Sequence, residues 1–197
     1  MKKGIVMSIL FAATICVAGD IQLPTANRQG GKDLMQVLNE RKSARDFSAQ
    51  EISNKTLSSL LWAANGINRP DGHRTAPTGL NVQDIDVYVM LPSGVYLYDA
   101  KANLLKLINA GDHPQAAGKQ EFAQKAPLNL FYVQDRSRAM KADEAASERY
   151  AGIHAGAIMQ NVYLYCANAG LISVARGHMD YCLLYTSDAA DERSSVD

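Results

Sequence analysis

The chain has no CxxC pair, no HExxH and no cluster of histidines with cysteines. Its three cysteines, Cys16, Cys166 and Cys182, do not make a disulfide framework. Neither a structural nor a catalytic metal is expected. Excess charge is missing too: Lys+Arg and Asp+Glu number 20 each, so no global field points to nucleic acid or to an anionic membrane. Partners are to be sought at local sites. There is no GxGxxG and no Walker loop, which argues against dinucleotide and P-loop nucleotide binding, and no GxSxG elbow. No internal repeat is visible. The apolar run from Gly4 to Val17 is too short to span a bilayer comfortably.

What is present is 197 residues, 47% of them hydrophobic, enough for one globular domain with a real core. Met1-Lys2-Lys3 followed by the apolar run reads as an export signal, residues 1–19, with Val17-Ala18-Gly19 or Cys16-Val17-Ala18 offering small residues for cleavage. Ile15 stands where a lipobox would place a small residue, so the expectation is an exported, periplasmic protein without a stable membrane anchor. The alternative is an uncleaved anchor helix. Residues 20–32, with Pro24, Gly30 and Gly31, read as an extended arm or linker.

A short helix is expected from about Asp33 to Glu40. Immediately after it comes Arg41-Lys42-Ser43-Ala44-Arg45-Asp46-Phe47. Arginine forks and a serine hydroxyl suit a phosphate, because charge-assisted hydrogen bonds to its oxygens are strong and directional. The same residues also suit a basic helix end, where cations offset the negative pole of the helix dipole. Ser53 caps a second helix through Leu57, Leu60, Leu61 and Ala64, with Gly66 as its stop. Trp62 either joins that helix's buried face or stacks on a ligand.

The Pro- and Gly-dense stretch from Asn68 to Asn81 is a loop, where binding residues concentrate. It leads into a β-hairpin, Ile85 to Leu91 and Val95 to Asp99, and then a polar, Lys-bearing segment from Ala100 to Lys106. A short helix from Lys119 to Lys125 and a strand from Leu128 to Val133 follow. Asp135 to Arg149 reads as a solvated loop or lid, with Arg138 among its exposed charges. The longest helical pattern, about Glu144 to Ala169, closes at Gly170. It is apolar nearly all round from Ile153 onward, so it belongs at the centre of the core or at a subunit interface. Gly152 and Gly156 would allow another backbone to come close. His154 reads as a satisfied buried histidine and Cys166 as a core residue. Leu171 to Ala175 reads as a returning strand. The fold class is α+β, with no regular βαβ alternation.

The order of Arg41 to Phe47, Arg74-Thr75-Ala76-Pro77-Thr78-Gly79-Leu80-Asn81-Val82-Gln83, the helix around Gln160-Asn161-Val162-Tyr163-Leu164, and Arg176-Gly177 resembles the nitroreductase family, in particular its exported, SagB-like branch. The resemblance covers roughly residues 33–180. It implies a mainly antiparallel central sheet flanked by helices, one of them long and buried, and FMN held non-covalently at a homodimer interface. By that resemblance Arg41, Ser43 and Arg45 match the phosphate and ribityl grip. Pro77, Thr78, Asn81 and Gln83 match the segment against the isoalloxazine ring, and Arg176 and Gly177 match the turn near flavin N5. The implied activity is hydride transfer between flavin N5 and a small-molecule or peptide substrate, with an unidentified electron donor. The rival reading is a secreted module that binds an anionic ligand or flavin without turnover. Residues 181–197 resemble translated adapter read-through in place of the family's C-terminal helix and strand, so the chain reads as truncated; the alternative is a divergent polar tail.

Overall fold

A computed structural model describes residues 19–48, 50–141 and 143–177. The expected signal through residue 18, the expected tail at 181–197 and Cys182 lie outside the described residues.

The centre is a five-stranded antiparallel sheet in the order β1-β4-β3-β2-β5. These strands are β1 (Ile21–Gln22), β2 (Ile85–Leu91), β3 (Gly94–Asp99), β4 (Leu104–Ala110) and β5 (Asn129–Gln134). In β2 the alternation places Val87 and Val89 on one face, fully buried, and Tyr88 and Met90 on the other. Pro92-Ser93 turns the chain, and β3 buries Tyr96 and Tyr98 beside them.

The expected polar segment at 100–106 is half wrong. Asp99 Oδ1 accepts from the backbone N–H groups of Lys101 and Ala102 at 2.9 Å each, which closes a tight turn. The chain then enters β4, where Leu105 is fully buried while Lys106 points out to pair with Asp99 at 3.0 Å. The strand was hidden by its outward lysine. The expected arm at 20–32 likewise begins as β1, on the outer edge of β4.

Among the described residues four α-helices flank the sheet: α1 (Leu34–Glu40), α2 (Asn54–Asn65), α3 (Glu121–Lys125) and α4 (Glu144–Ala169). The α2 boundaries are those the sequence marks: Ser53 Oγ accepts from Thr56 N–H at 3.2 Å, and Gly66 ends the helix. A side chain at Gly66 would strike Trp62, so glycine there is a packing requirement. Trp62 itself is half-buried, its Nε1 donating to Ile67 O at 3.0 Å and its ring covered by Arg28. It braces the chain after α2.

Asp143 caps α4, accepting from Ala146 N–H at 2.8 Å, and Gly170 ends it in the left-handed conformation (φ 69°). Leu57, Leu61 and Ala64 of α2 and Ile158 of α4 pack on the Val87–Val89 face of the sheet. Phe131, Met90 and Ala123 form a smaller core on the opposite face, beneath α3.

Three expectations need correction. Within one chain α4 is not buried all round: Ile158 and His154 face inward, but Ile153 is 59% exposed and open space lies beside Gly152 and Gly156. Leu171 to Ala175 is not a strand. It makes one parallel bridge, Ser43 to Ser173, because the partner it meets is the basic stretch and not the sheet. Finally, Arg138 is not a solvated charge. Its guanidinium donates to Asp86 Oδ1 (2.5 Å), Asp135 Oδ2 (2.9 Å) and Gln83 O (2.6 Å), which pins the 135–140 turn to β2 and the loop before it.

Candidate functional site

The basic stretch leaves α1 with a non-helical backbone at Arg41 and makes a parallel bridge from Ser43 to Ser173. Ala44 N–H donates to Ser173 O at 3.0 Å, which ties this stretch to the segment after α4. Tyr163 of α4 is the hub. Its hydroxyl bonds Ser43 Oγ at 2.8 Å and accepts from Ala175 N–H at 2.6 Å, while Arg41 lies over its ring at 5.2 Å. On the other side, Arg45 and Arg176 both lie over Phe122 of α3, at 5.6 and 5.9 Å, and Phe47 stacks on the same ring.

Among the described residues Arg41, Arg45 and Arg176 have no carboxylate partner. The one further bond of Arg176 among the described residues is to Gln120 Oε1 at 3.4 Å. Three unneutralised cations gathered round two aromatic rings and a hydroxyl make a site suited to an anion. Gly177 is exposed beside them.

The loop at 77–83 is built separately. Leu80, Asn81 and Gln83 all have positive φ (50°, 56° and 51°), a conformation that costs a non-glycine residue on the order of 1 kcal/mol or more. Three contacts hold it. Gly79 N–H donates to His154 Nε2 at 2.8 Å, His154 Nδ1 bonds Asp84 Oδ1 at 2.7 Å, and Gln134 Nε2 donates to Asp84 Oδ2 at 2.9 Å. Because Nε2 accepts, Nδ1 carries the proton and donates to Asp84. His154 and Asp84 are buried almost completely, at 2% and 0% exposure, so this is the satisfied histidine the sequence indicated.

Gln83 is taken up by the loop itself. Its carbonyl oxygen accepts from Arg74 Nε at 2.8 Å, and its amide nitrogen donates to Gly72 O and Asn81 Oδ1. It is thereby removed as a free ring contact. Thr78 Oγ1 accepts from Gln83 N–H, and Pro77 and Asn81 remain exposed.

The structure thus brings Arg41, Ser43, Arg45, Arg176 and Gly177 together, and separately Pro77, Thr78, Asn81 and Gln83. It does not unite the two groups in one chain. His154 and Tyr163, their anchors on α4, are nine residues apart, which is about 13–14 Å along the axis and half a turn round it. Sequence reasoning missed Phe122, Tyr163 and Arg138 as site-building residues. Tyr163 stood inside the quoted helix motif; Phe122 and Arg138 carried no local signal.

The family model described as Nitroreductase family matches residues 38–190. A protein of Methanocaldococcus jannaschii assigned as a nitroreductase is 27% identical over 168 residues, covering 80% of this chain and 83% of that one. A crystal structure assigned likewise, from Ralstonia eutropha, is 40% identical with a TM-score of 0.78, covering 90% of this chain and 84% of that one. A structure from Anabaena variabilis shares the fold at 21% identity and a TM-score of 0.64, over 76% of this chain and 34% of that one.

Proposed function

The chain belongs to the nitroreductase family, a family of oxidoreductases, and on that footing we propose that it is an FMN-dependent oxidoreductase working as a homodimer. The observation that carries this reading is the gathering of Arg41, Arg45 and Arg176, none with a carboxylate partner among the described residues, around Tyr163 and Phe122 beside the Ser43 hydroxyl. Like charges collected this way repel one another until an anion sits among them. The FMN phosphate is such an anion, and the cradle fits it.

Flavin, when bound, supplies the hydride chemistry, so no acid–base dyad is required of the protein. The residues of the chain do three things. Arg41, Ser43 and Arg45 hold the phosphate end. The loop carrying Pro77, Thr78 and Asn81 presents its exposed face to the ring, in a shape fixed by His154 and Asp84. Arg176 and Gly177 close the turn beside Phe122. A second copy of the chain would bring one copy's loop to the other copy's arginines, since the two groups lie on opposite sides of α4. Ile153 on α4 and Leu34, Met35 and Leu38 on α1 are the exposed apolar residues such a pairing would cover.

The test is the absorbance spectrum of the purified protein supplied with FMN. A flavin band that bleaches reversibly under dithionite is expected, and a colourless preparation that refuses FMN would overturn the reading. Arg41→Ala should raise the FMN dissociation constant at least tenfold, while Lys101→Ala, an equal charge change at an exposed turn, leaves it within twofold. Equal effects would remove the phosphate assignment. If flavin binds but no donor reduces it, the alternative of a binding module without turnover takes its place.

A further inference from the structure

The inner side of the 77–83 loop ends a buried chain of hydrogen bonds. Gln134 Nε2 donates to Ser147 Oγ at 3.3 Å and to Asp84 Oδ2 at 2.9 Å. His154 Nδ1 donates to Asp84 Oδ1 at 2.7 Å, and Gly79 N–H donates to His154 Nε2 at 2.8 Å. Ser147 and His154 stand on α4, Gln134 on β5, and Asp84 directly before β2, so every link except Gly79 is fixed by the sheet or the long helix. Gly79 itself lies in a slot. A side chain there would begin 2.8 Å from Met140 Sδ and 3.6 Å from His154 Nε2.

Both oxygens of Asp84 accept, and His154 is a donor at one nitrogen and an acceptor at the other, so the dyad is a carboxylate beside a neutral ring. Among the described residues no cation pairs with Asp84, which is fully buried. The other groups facing the ring carry no charge: Gln134 from β5, Met140 from the 135–140 turn, and Tyr150 one helical turn back on α4, at 6.1 Å. The donors of Arg138 in that turn are spent on Asp86, Asp135 and Gln83 O. The charges that α1 and α2 bring against α4, Glu40 and Lys55, lie toward its far end, near Ala167 and Tyr165.

We infer that His154 is a positioning residue through which proton uptake releases the flavin-side loop. The neutral ring latches Gly79. A proton added at Nε2 keeps the Nδ1–H bond to Asp84 and turns it into an ion pair, which cancels the lone buried charge. It also sets two N–H donors face to face where Gly79 N–H had an acceptor. Leu80 and Asn81, at φ 50° and 56°, then lose the contact that enforces a conformation side-chain-bearing residues rarely hold. Gln83 keeps its place, because Arg74 grips its side chain and Arg138 its backbone oxygen. The change is therefore confined to 79–81. The proposal rests on the reading of the 77–83 segment as the flavin-side loop, and it adds a regulation to that reading.

The experiment is nitrogen-15 NMR on the full chain, without and then with FMN, from about pH 8 down to about pH 5, the range in which histidines ordinarily change charge. The Gly79 amide signal should move together with the His154 ring nitrogens. Its hydrogen exchange, corrected for the intrinsic effect of pH, should quicken roughly tenfold or more in the acid form. With FMN bound, the flavin absorbance band should shift over the same range. His154→Gln, whose amide oxygen accepts from Gly79 but does not titrate, should hold all of these level. His73→Gln should leave the transition as in the parent, since His73 makes no hydrogen bond to the 77–83 loop among the described residues. A His154 ring that stays neutral throughout, a Gly79 amide that ignores its titration, or a transition that survives His154→Gln would each overturn the inference. So would a flavin band that holds still while Gly79 moves. Should His154→Gln fail to fold, the parent's ring and amide signals decide without it. If the parent refuses FMN, the flavin reading fails separately, and the Gly79 titration on that protein still decides whether the latch exists.

Discussion

The Arg138 guanidinium joins the nearby Asp135 carboxylate to two groups some 50 residues upstream, the Asp86 carboxylate and the backbone oxygen of Gln83. Arg138→Ala would leave Asp86 and Gln83 O half-buried and unpaired, so a loss of about 1–2 kcal/mol in a urea titration is expected, reduced from the buried-pair range by the partial exposure of the site. Nothing in the charged run from Asp135 to Arg149 distinguishes this arginine from its solvated neighbours, because two of its three partners lie some 50 residues upstream. His154 was legible for the opposite reason: one histidine in an apolar helical stretch has to be satisfied somewhere. Burial also pushes four acids upward, among them the Cys166 thiol from 9.0 to about 11 and the Tyr98 phenol from 10.0 to about 12, the latter partly offset by Arg74 and Arg28; the Tyr132 and Tyr165 phenols move the same way. Between those values the unfolded chain has lost a proton that the folded chain still holds. Stability is therefore full below about pH 9 and falls as pH rises through 11 and 12, by about 1.4 kcal/mol per unit for each group that has crossed its unfolded value. Urea midpoints measured from pH 8 to 11.5 should be level and then fall, and Cys166→Ala should delay the fall by about one unit. A level curve throughout would contradict the burial of these groups.

At the scale of elements, legibility followed the end signals. The helices α2 and α4 carry a side-chain cap at one end and a glycine at the other, and both were read to within a residue or two. The hairpin of β2 and β3 was marked by Pro92-Ser93-Gly94 between β-rich runs. The strand β4 was missed because its outward Lys106 broke the apolar pattern, and 171–175 was over-read because β-branched residues promise a strand only where a sheet edge waits. Asp143→Ala should cost about 1 kcal/mol of global stability by chemical denaturation, since it strips an acceptor from the first turn of the longest helix. Asp143→Asn, which keeps the acceptor, should retain most of that stability.

For the whole molecule, the class and the antiparallel sheet were recoverable from the order of elements, but the division of the candidate site between two sides of α4 was not. Periodicity shows that a helix is apolar on several faces without showing which faces the same chain covers. Here Ile158 is covered within the chain and Ile153 is not. If the proposed homodimer forms through this face, Ile153→Glu should convert a two-chain particle into a one-chain particle in light scattering, with the circular dichroism unchanged and FMN retention falling with it. A variant that stays dimeric would place the interface elsewhere. The sheet order has a consequence in time as well. Strands β2, β3 and β4 meet through tight turns, whereas Ile85 must find Gln134 across nearly fifty residues. Loop closure over that span is slower, so the meander should assemble first and β5 dock afterwards. Until it does, the outer edge of β2 is a bare row of amides and carbonyls, and refolding yield should fall with protein concentration because another molecule's strand can reach that edge first.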